Sequence, residues 1–128
     1  MKTKEEIVKN WLPRYTGQQL SDFGQYILLT NFSNYVKMFS EWHNVPIVGQ
    51  DKPMQCATAD GITIINFGMG SATAATVMDL LSAINPKAVL FLGKCGGLKK
   101  KNLIGDLILP IAAIRGEGTS EDYFPPEV

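Results

Sequence analysis

Two glycine-rich segments, each placed directly after a short apolar run, constrain the fold of this chain more than any other sequence feature. Residues 62–67 (ITIINF) lead into Gly68 and Gly70, and residues 87–92 (KAVLFL) lead into segment 93–97 (GKCGG). Short apolar runs bounded by glycine are typical of strands buried on both faces of a parallel sheet. Because the carboxyl ends of parallel strands meet at one edge, we expect both glycine loops at the edge where open α/β sheets bind ligands.

Three further apolar runs predict strands of the same sheet. Residues 26–30 (YILLT) predict another buried strand, and residues 105–114 (GDLILPIAAI) predict a strand late in the chain. Residues 54–59 and 62–67 flank Asp60-Gly61, a dipeptide that favours a tight hairpin between two strands. The alternation of strands, glycine loops and helices predicts an open α/β fold.

Apolar residues at helical spacing predict three helices. The first covers residues 2–12 and is expected to end at Pro13, the second begins at a capping Ser33 and runs to about Trp42, and the third covers residues 71–83 with Ser71 as its cap. Residues 115–128 predict a loop with no regular element. Since no helix follows the last predicted strand, we expect the chain to be the first half of a larger α/β domain, with residues 1–24 as helix and connector and residues 25–128 as the sheet core.

Charge and composition exclude several classes of function. Among 128 residues, 12 basic and 12 acidic side chains cancel, so no strong field recruits a nucleic acid polymer or an anionic membrane. One histidine, His43, excludes a multi-histidine metal site, and Cys56 and Cys95 lack the spacing of a disulfide scaffold or zinc knuckle. The charged start of the chain shows no signal peptide. We therefore expect a cytoplasmic protein without metal or cofactor.

The segment from Gly68 to Thr73 is the first candidate binding site. It opens a helix directly after a strand, and helix N-termini present free N–H groups and a partial positive charge that suit anions or sugar hydroxyls. Gly70 lets the backbone approach a ligand, and Ser71 and Thr73 could add hydroxyl groups. The segment is neither a dinucleotide fingerprint nor a P-loop, and an ordinary tight turn with a capped helix explains it equally well.

The second glycine segment and the last loop hold the other candidates. Lys94 suits a phosphate, although a solvated loop lysine is the alternative, and Cys95 is better interpreted as a small packing residue than as a nucleophile. Arg115 and Glu117 are the best ligand candidates of the last loop, with a plain surface loop as the alternative. His43 is interpreted as a helix-end residue, and Asp106 as a carboxylate that accepts backbone N–H bonds.

In order and spacing these segments resemble the nucleoside phosphorylase and nucleosidase superfamily. The matching segments are residues 67–70, 93–98 and 105–106 and the loop 115–126 (RGEGTSEDYFPP), so that the resemblance covers nearly the whole chain from Tyr26 onward. It implies the three-layer fold of that superfamily, a mixed central sheet flanked by helices, of which this chain would hold the first half. The Cys-Gly-Gly-Leu segment is most similar to the AMP nucleosidase branch, whose members hydrolyse AMP to adenine and ribose 5-phosphate.

Departures from the phosphorylase pattern favour hydrolysis over phosphorolysis. Phosphorylases of the superfamily hold phosphate with a Gly-Asp-Pro-x-Arg loop after the first strand, where this chain has residues 31–35 (NFSNY). Asn31 replaces the glycine, Tyr35 replaces the arginine, and Phe91 replaces a second phosphate-binding arginine. Without these two bidentate groups, water is the more plausible nucleophile.

The resemblance also implies roles for individual residues. Asn31 and Ser33 lie in the loop after the first strand, Thr73 falls on a serine that contacts phosphate or ribose, and Lys94 falls on a threonine that does the same. Cys95 and Gly96 fall where the family's loop lines base and sugar. The substrate-binding set is thus predicted to be Asn31, Ser33, Gly70, Ser71, Thr73, Lys94, Cys95, Gly96, Arg115 and Glu117.

The catalytic acid is not among the residues of this chain according to the same resemblance. The implied mechanism breaks the N-glycosidic bond with oxocarbenium character while an acid protonates the purine. In the superfamily that acid is an aspartate of the second half, so we expect it beyond Val128 and expect residues 1–128 alone to be inactive. The alternatives are a phosphorylase or another purine nucleosidase of the same fold, and a non-catalytic nucleotide-binding module. The resemblance further implies self-association as a dimer or hexamer.

Overall fold

A four-stranded sheet with helices on both faces forms the body of the chain. The structure is a computed structural model that describes residues 1–125. The strands are β1 (Tyr26–Thr30), β2 (Cys56–Ala59), β3 (Ile62–Asn66) and β4 (Ala88–Phe91), in the spatial order β2-β3-β1-β4. β1 runs parallel to both β3 and β4, whereas β2 is antiparallel to β3. The predicted mixed sheet of the α/β fold is confirmed.

Three α-helices cover the two faces of this sheet. They are α1 (Lys4–Thr16), α2 (Ser33–His43) and α3 (Ser71–Leu81), and short 3₁₀ turns cover Leu20–Asp22 and Thr119–Asp122. Helices α1 and α3 pack on one face, where the core consists of buried side chains from both helices and the sheet: Leu12, Ile27, Leu29, Met54, Cys56, Ile65, Phe67, Val77, Leu80 and Leu81. Helix α2 covers the other face with Val36 and Phe39, which pack against Ala57 and Ile64. The result is three layers.

The hairpin between β2 and β3 forms as its dipeptide predicts. Asp60 and Gly61 both have positive φ, 51° and 77°, which is the backbone of a type I′ turn. The turn pairs Ala59 with Ile62 and sets the antiparallel register of the two strands. His43 ends α2 and places its Nδ1 3.1 Å from the Asp60 carboxylate, so its interpretation as a helix-end residue is confirmed.

The predicted end of α1 and the predicted cap of α2 are wrong. Helix α1 continues through Pro13 to Thr16, because the burial of Leu12 and Thr16 outweighs the local penalty of Pro13. In the last turn the Thr16 hydroxyl donates to the Leu12 carbonyl at 2.8 Å, and Gly17 N–H donates to the Pro13 carbonyl at 2.7 Å. Helix α2 has Phe32, not Ser33, in the capping position. The Thr30 hydroxyl accepts from Phe32 N–H at 3.2 Å and turns the chain out of β1 one residue early.

Two predicted strands differ from the structure. β4 is an edge strand rather than a strand buried on both faces, with Leu90 and Phe91 about half exposed, because β1 is its one neighbour within the described chain. Residues 105–114 form no strand in the part of the chain that the structure describes, and Leu107 and Ile111 are fully exposed there. A β-prone run becomes a strand only when a neighbour completes its backbone hydrogen bonds.

The chain divides into two compact units, Met1–Gly93 and Lys94–Val128. The first unit contains the whole sheet and its three helices. In the second, among the residues described, Asp106 closes a turn by accepting the Leu103 N–H at 2.9 Å, which confirms its structural interpretation. None of the helices within residues 1–125 is long and apolar enough to cross a membrane.

Candidate functional site

The carboxyl ends of β1, β3 and β4 lie at one edge of the sheet because the three strands are parallel. β1 continues into α2 on one face, and its neighbour β3 continues into α3 on the opposite face. Between two such strands a crevice opens at the carboxyl edge, and this is the position where open α/β sheets bind ligands. The loops at this crevice are residues 31–32 and 67–70.

The glycine loop after β3 is built by its own backbone. Gly68 and Gly70 have φ of 86° and 96°, conformations that a side chain disfavours. The Asn66 carboxamide accepts the Gly68 N–H at 3.0 Å and holds the turn. Gly70, not Ser71, is the capping residue of α3, which corrects the predicted cap: the positive φ that this position requires favours glycine, and Ser71 begins the helix instead.

A cavity of about 410 Å³ lies at this edge within the first unit. Its wall consists of residues from β1, β4, α3 and the two loops: Leu29, Asn31, Phe67, Gly70, Ser71, Ala74, Met78, Val89 and Phe91. The structure therefore brings together three of the residues that the sequence predicted for the site, namely Asn31, Gly70 and Ser71. Most of the wall is apolar, so the cavity can offer apolar contact to a bound ligand.

Aromatic side chains form one wall of the cavity. The rings of Phe67 and Phe91 meet edge to face, with centroids 5.9 Å apart and planes inclined by 64°. Edge-to-face contact is a favourable arrangement of two aromatic rings, and it holds the two side chains side by side in the wall. None of the described residues in the cavity wall is a lysine, arginine or histidine. The cavity thus provides shape and apolar contact rather than fixed positive charge.

Asn31 is the polar side chain of the wall that stands out. It follows β1 directly, and its Oδ1 is buried without a hydrogen-bond donor anywhere in the described chain. A buried carbonyl-type oxygen without a partner destabilises the fold, so native proteins retain few of them.

Sequence reasoning missed Phe67, Ala74 and Met78 as parts of the wall. A signal for the helical residues existed, because Ser71, Ala74 and Met78 follow the i, i+3, i+7 spacing that places side chains on one helix face. Phe67 and Phe91 each end an apolar run, and only the packing of β3 and β4 around β1 shows that their rings meet.

Two predicted site residues of the first unit lie outside the cavity wall. Ser33 is exposed at the first position of α2. Thr73 lies in the first turn of α3, and its hydroxyl donates to the Met69 carbonyl at 3.0 Å, so this bond steadies the glycine loop. Their contacts with substrate stay predictions.

The predicted residues of the second unit lie in exposed loops. Lys94, Cys95 and Gly96 are exposed, so the packing interpretation of Cys95 is wrong for the described chain, in which no apolar side chains cover this loop. The Arg115 guanidinium binds its own loop: it donates to the Ser120 hydroxyl at 3.0 Å and to the carbonyls of Phe124 and Pro125 at 2.9 and 2.8 Å. The Glu117 carboxylate accepts the Thr119 N–H at 2.9 Å. Both side chains order the loop, and their roles toward a ligand stay predictions.

Within residues 1–125, no group of three or more histidine, cysteine, aspartate and glutamate side chains is placed to hold a metal ion.

The two cysteines differ sharply in environment. Burial among apolar side chains raises the pKa of Cys56 to about 12, so this thiol stays neutral. Cys56 therefore serves the core, where its Sγ lies 3.4 Å from the Gln18 carboxamide oxygen.

Comparison with known proteins places these features in a family. The model of the phosphorylase superfamily matches residues 25–128. The chain is 68% identical to an AMP nucleosidase of Bacteroides thetaiotaomicron of known crystal structure, with a TM-score of 0.91 over 99% of this chain and 54% of that one. It is 29% identical to the AMP nucleosidase of Escherichia coli over 91% of this chain and 32% of that protein.

Phosphorylases match a smaller part of this chain. The guanosine phosphorylase of Halorubrum lacusprofundi is 32% identical over 60% of this chain and 34% of that protein. The chain spans about half the length of the solved structure and about a third of the Escherichia coli protein. The family model covers all four strands, the glycine loops and every residue of the cavity wall. The chain therefore belongs to the phosphorylase superfamily.

Proposed function

We propose that this chain forms part of an AMP nucleosidase, an enzyme that hydrolyses the N-glycosidic bond of AMP to adenine and ribose 5-phosphate. The observation that carries the proposal is the 68% identity with an AMP nucleosidase over 99% of this chain. That match includes the cavity at the carboxyl edge of β1 and β3, the place where ligands bind in open α/β sheets.

The chemistry of the cavity suits a reaction through an oxocarbenium-like state. The apolar wall, with the Phe67–Phe91 pair, offers contact to the uncharged parts of a nucleotide, the base and the sugar carbons. The first N–H groups of α3 follow Gly70 and offer donors for sugar or phosphate oxygens. A general acid must protonate the purine before it leaves, and we place that acid beyond Val128.

The wall also supports water over free phosphate as nucleophile. Phe91 contributes an aromatic ring where the resemblance places an arginine in phosphorylases, and Tyr35 packs its ring against Phe32 with centroids 5.4 Å apart. Inorganic phosphate needs fixed cations or a bidentate guanidinium to compete with water for binding. With no cation in the described wall, phosphorolysis is the less supported alternative.

The remaining features of the proposal follow from the substrate. We keep as part of the proposal the substrate contacts that the resemblance implies for Ser33, Thr73, Lys94, Cys95, Gly96, Arg115 and Glu117. A purine nucleotide substrate fits a cytoplasmic enzyme of purine salvage. A homo-oligomer, either a dimer or a hexamer, is the expected assembly.

The test is product analysis of AMP incubated with the complete polypeptide that carries this sequence, with and without inorganic phosphate. We expect adenine and ribose 5-phosphate at a rate that does not change with phosphate. Adenine and ribose 1,5-bisphosphate, formed only when phosphate is present, would show a phosphorylase and overturn the hydrolytic assignment. Nucleotide binding without release of adenine would contradict both the nucleosidase and the phosphorylase function, and it would favour a nucleotide-binding module.

A matched pair of variants links the activity to this cavity. Phe91→Ala removes the exposed ring of the wall, whereas Trp42→Ala removes a ring that is 74% exposed at the end of α2, outside the wall. We expect Phe91→Ala to lower kcat/KM for AMP at least tenfold, and Trp42→Ala to leave it unchanged. Equal effects of the two variants would show that the activity does not depend on this cavity.

A further inference from the structure

The Asn31 carboxamide raises a question that the fold itself does not answer. Its Oδ1 is buried, and no donor within residues 1–125 reaches it. The same side chain belongs to the wall of the cavity, at the carboxyl end of β1. An amide oxygen that has lost water and gained no donor destabilises the native state.

A second asparagine at the neighbouring strand end shows what a structural carboxamide does here. Asn66 ends β3 and pairs in register with Thr30, the residue before Asn31. Its Oδ1 accepts the Gly68 N–H at 3.0 Å and fixes the glycine loop. Two asparagines thus occupy adjacent strand ends, and within residues 1–125 the oxygen of Asn66 has a structural partner while that of Asn31 has none.

The surroundings of Asn31 restrict what its oxygen can bind. A carbonyl-type oxygen is an acceptor, and the described wall adds no lysine or arginine that would hold an anion beside it. An oxyanion presents lone pairs to that oxygen and is repelled, whereas an O–H group presents a proton. The Asn31 side chain belongs to the cavity wall, so a donor bound in the cavity lies beside its carboxamide.

We propose that Asn31 is a specificity residue of the site whose Oδ1 accepts a hydrogen bond from a neutral O–H donor, either a hydroxyl of the ribose or the attacking water. The proposal rests on the proposed function, because it takes the donor from AMP or from the water that hydrolyses it. The Asn31 oxygen, unpaired within residues 1–125, lowers the stability of the free protein, and its hydrogen-bond donor is supplied by AMP or by the attacking water when they bind.

The first test measures stability and needs no substrate. Asn31→Leu has nearly the same shape and removes the unpaired oxygen, so we expect an equal or higher denaturation midpoint. Asn66→Leu is the matched control: it removes the partner of Gly68 N–H and is expected to lower the midpoint. A clear loss of stability in Asn31→Leu would show that the carboxamide serves the fold, and it would overturn the proposal.

The second test measures activity in the complete polypeptide and separates the two donors. Asn31→Leu is expected to lower kcat/KM for AMP about tenfold, the effect of one lost hydrogen bond. If a ribose hydroxyl is the donor, the loss disappears with 2′-deoxy-AMP or with 3′-deoxy-AMP. If water is the donor, kcat falls equally for all three substrates and KM stays constant.

The conservative variant completes the design. Asn31→Asp keeps an acceptor oxygen and loses the amide donor, so it is expected to retain more activity than Asn31→Leu. The opposite order, or an unchanged kcat/KM in Asn31→Leu, overturns the proposal while hydrolysis of AMP by the unaltered protein still stands. Failure of the unaltered protein to release adenine refutes the proposed function instead.

Discussion

At the scale of single residues, identical side chains take different roles according to what surrounds them. Cys56 is fully buried in the core between β2 and α1, whereas Cys95 is exposed in the second glycine segment. Burial disfavours the thiolate because the apolar interior cannot solvate its charge. This difference has a consequence for stability at high pH.

The pKa of Cys56 rises from the usual 9.0 to about 12 on folding. Between these values the unfolded chain releases the thiol proton and the folded chain keeps it, so the free energy of unfolding falls by up to about 1.4 kcal/mol per pH unit from this residue. Below pH 9 the contribution is constant. We expect the difference between Cys56→Ala and the unaltered protein to narrow as pH rises from 9, measured by urea denaturation.

Cys95→Ser is the matched control for that experiment. Its side chain is exposed and lies outside the core, so the substitution removes a cysteine without disturbing the packing around Cys56. A Cys56→Ala variant that loses stability above pH 9 as steeply as the unaltered chain would contradict the burial argument.

At the scale of elements, close approach of backbone segments decides which residues the turns accept. Gly24 lies before β1, where its N–H donates to the Thr63 hydroxyl at 2.8 Å. A Cβ at this position would collide with the carbonyl of Gly61 in the hairpin turn and lie 2.7 Å from Ile62 N. At Gly24 the connector after α1 and the β2–β3 hairpin therefore approach each other backbone to backbone.

Gly24→Ala is expected to destabilise the fold by about 1–3 kcal/mol, because the obstructing atoms are backbone and cannot rotate away. The control is Gly118→Ala, where a Cβ meets nothing within 4 Å and φ is −79°. Chemical denaturation of both variants measures the difference. If Gly24→Ala matched Gly118→Ala in stability, the close approach would be wrong.

At the scale of the whole molecule, the first helix is part of the same core as the sheet. Leu12 of α1 is completely buried and belongs to the cluster that includes β1, β3 and α3. Helices α1 and α3 are also joined by an ion pair between Lys4 and Asp79 at 2.9 Å, although both side chains are exposed and the pair adds little. The apolar contact carries the packing of α1.

Leu12→Ala should lower the free energy of unfolding by about 2–5 kcal/mol, since it leaves a cavity in the main core. Ile7→Ala on the same helix is the control, because Ile7 is 40% exposed and its loss should stay under about 1 kcal/mol. Thermal or urea denaturation distinguishes the two. Comparable losses in both variants would mean that α1 does not dock through Leu12.

Much of the architecture was predictable because it rests on local rules. The runs that became β1 and β3 and the Asp60-Gly61 hairpin carry their signals within a few residues, and they formed as predicted. The end of α1 was not predictable in this way. The penalty of Pro13 is local, but the burial of Leu12 and Thr16 that outweighs it depends on tertiary packing. Residues 105–114 are the opposite case: their β propensity is high, but they form no strand because no neighbouring strand pairs with them in the part of the chain that the structure describes.

Of the candidate site, the sequence by itself determined the glycine loop of residues 68–70 and the strand-end position of Asn31, because glycine backbone freedom and strand direction are properties of short segments. Only the tertiary structure decided that the rings of Phe67 and Phe91 meet and that Met78 completes the same wall. It also decided that, within residues 1–125, Asn66 finds a donor while the Asn31 oxygen does not. Those outcomes depend on which strands become neighbours. Strand order is set by the summed packing of α1, α2 and α3 on the sheet and not by any single segment.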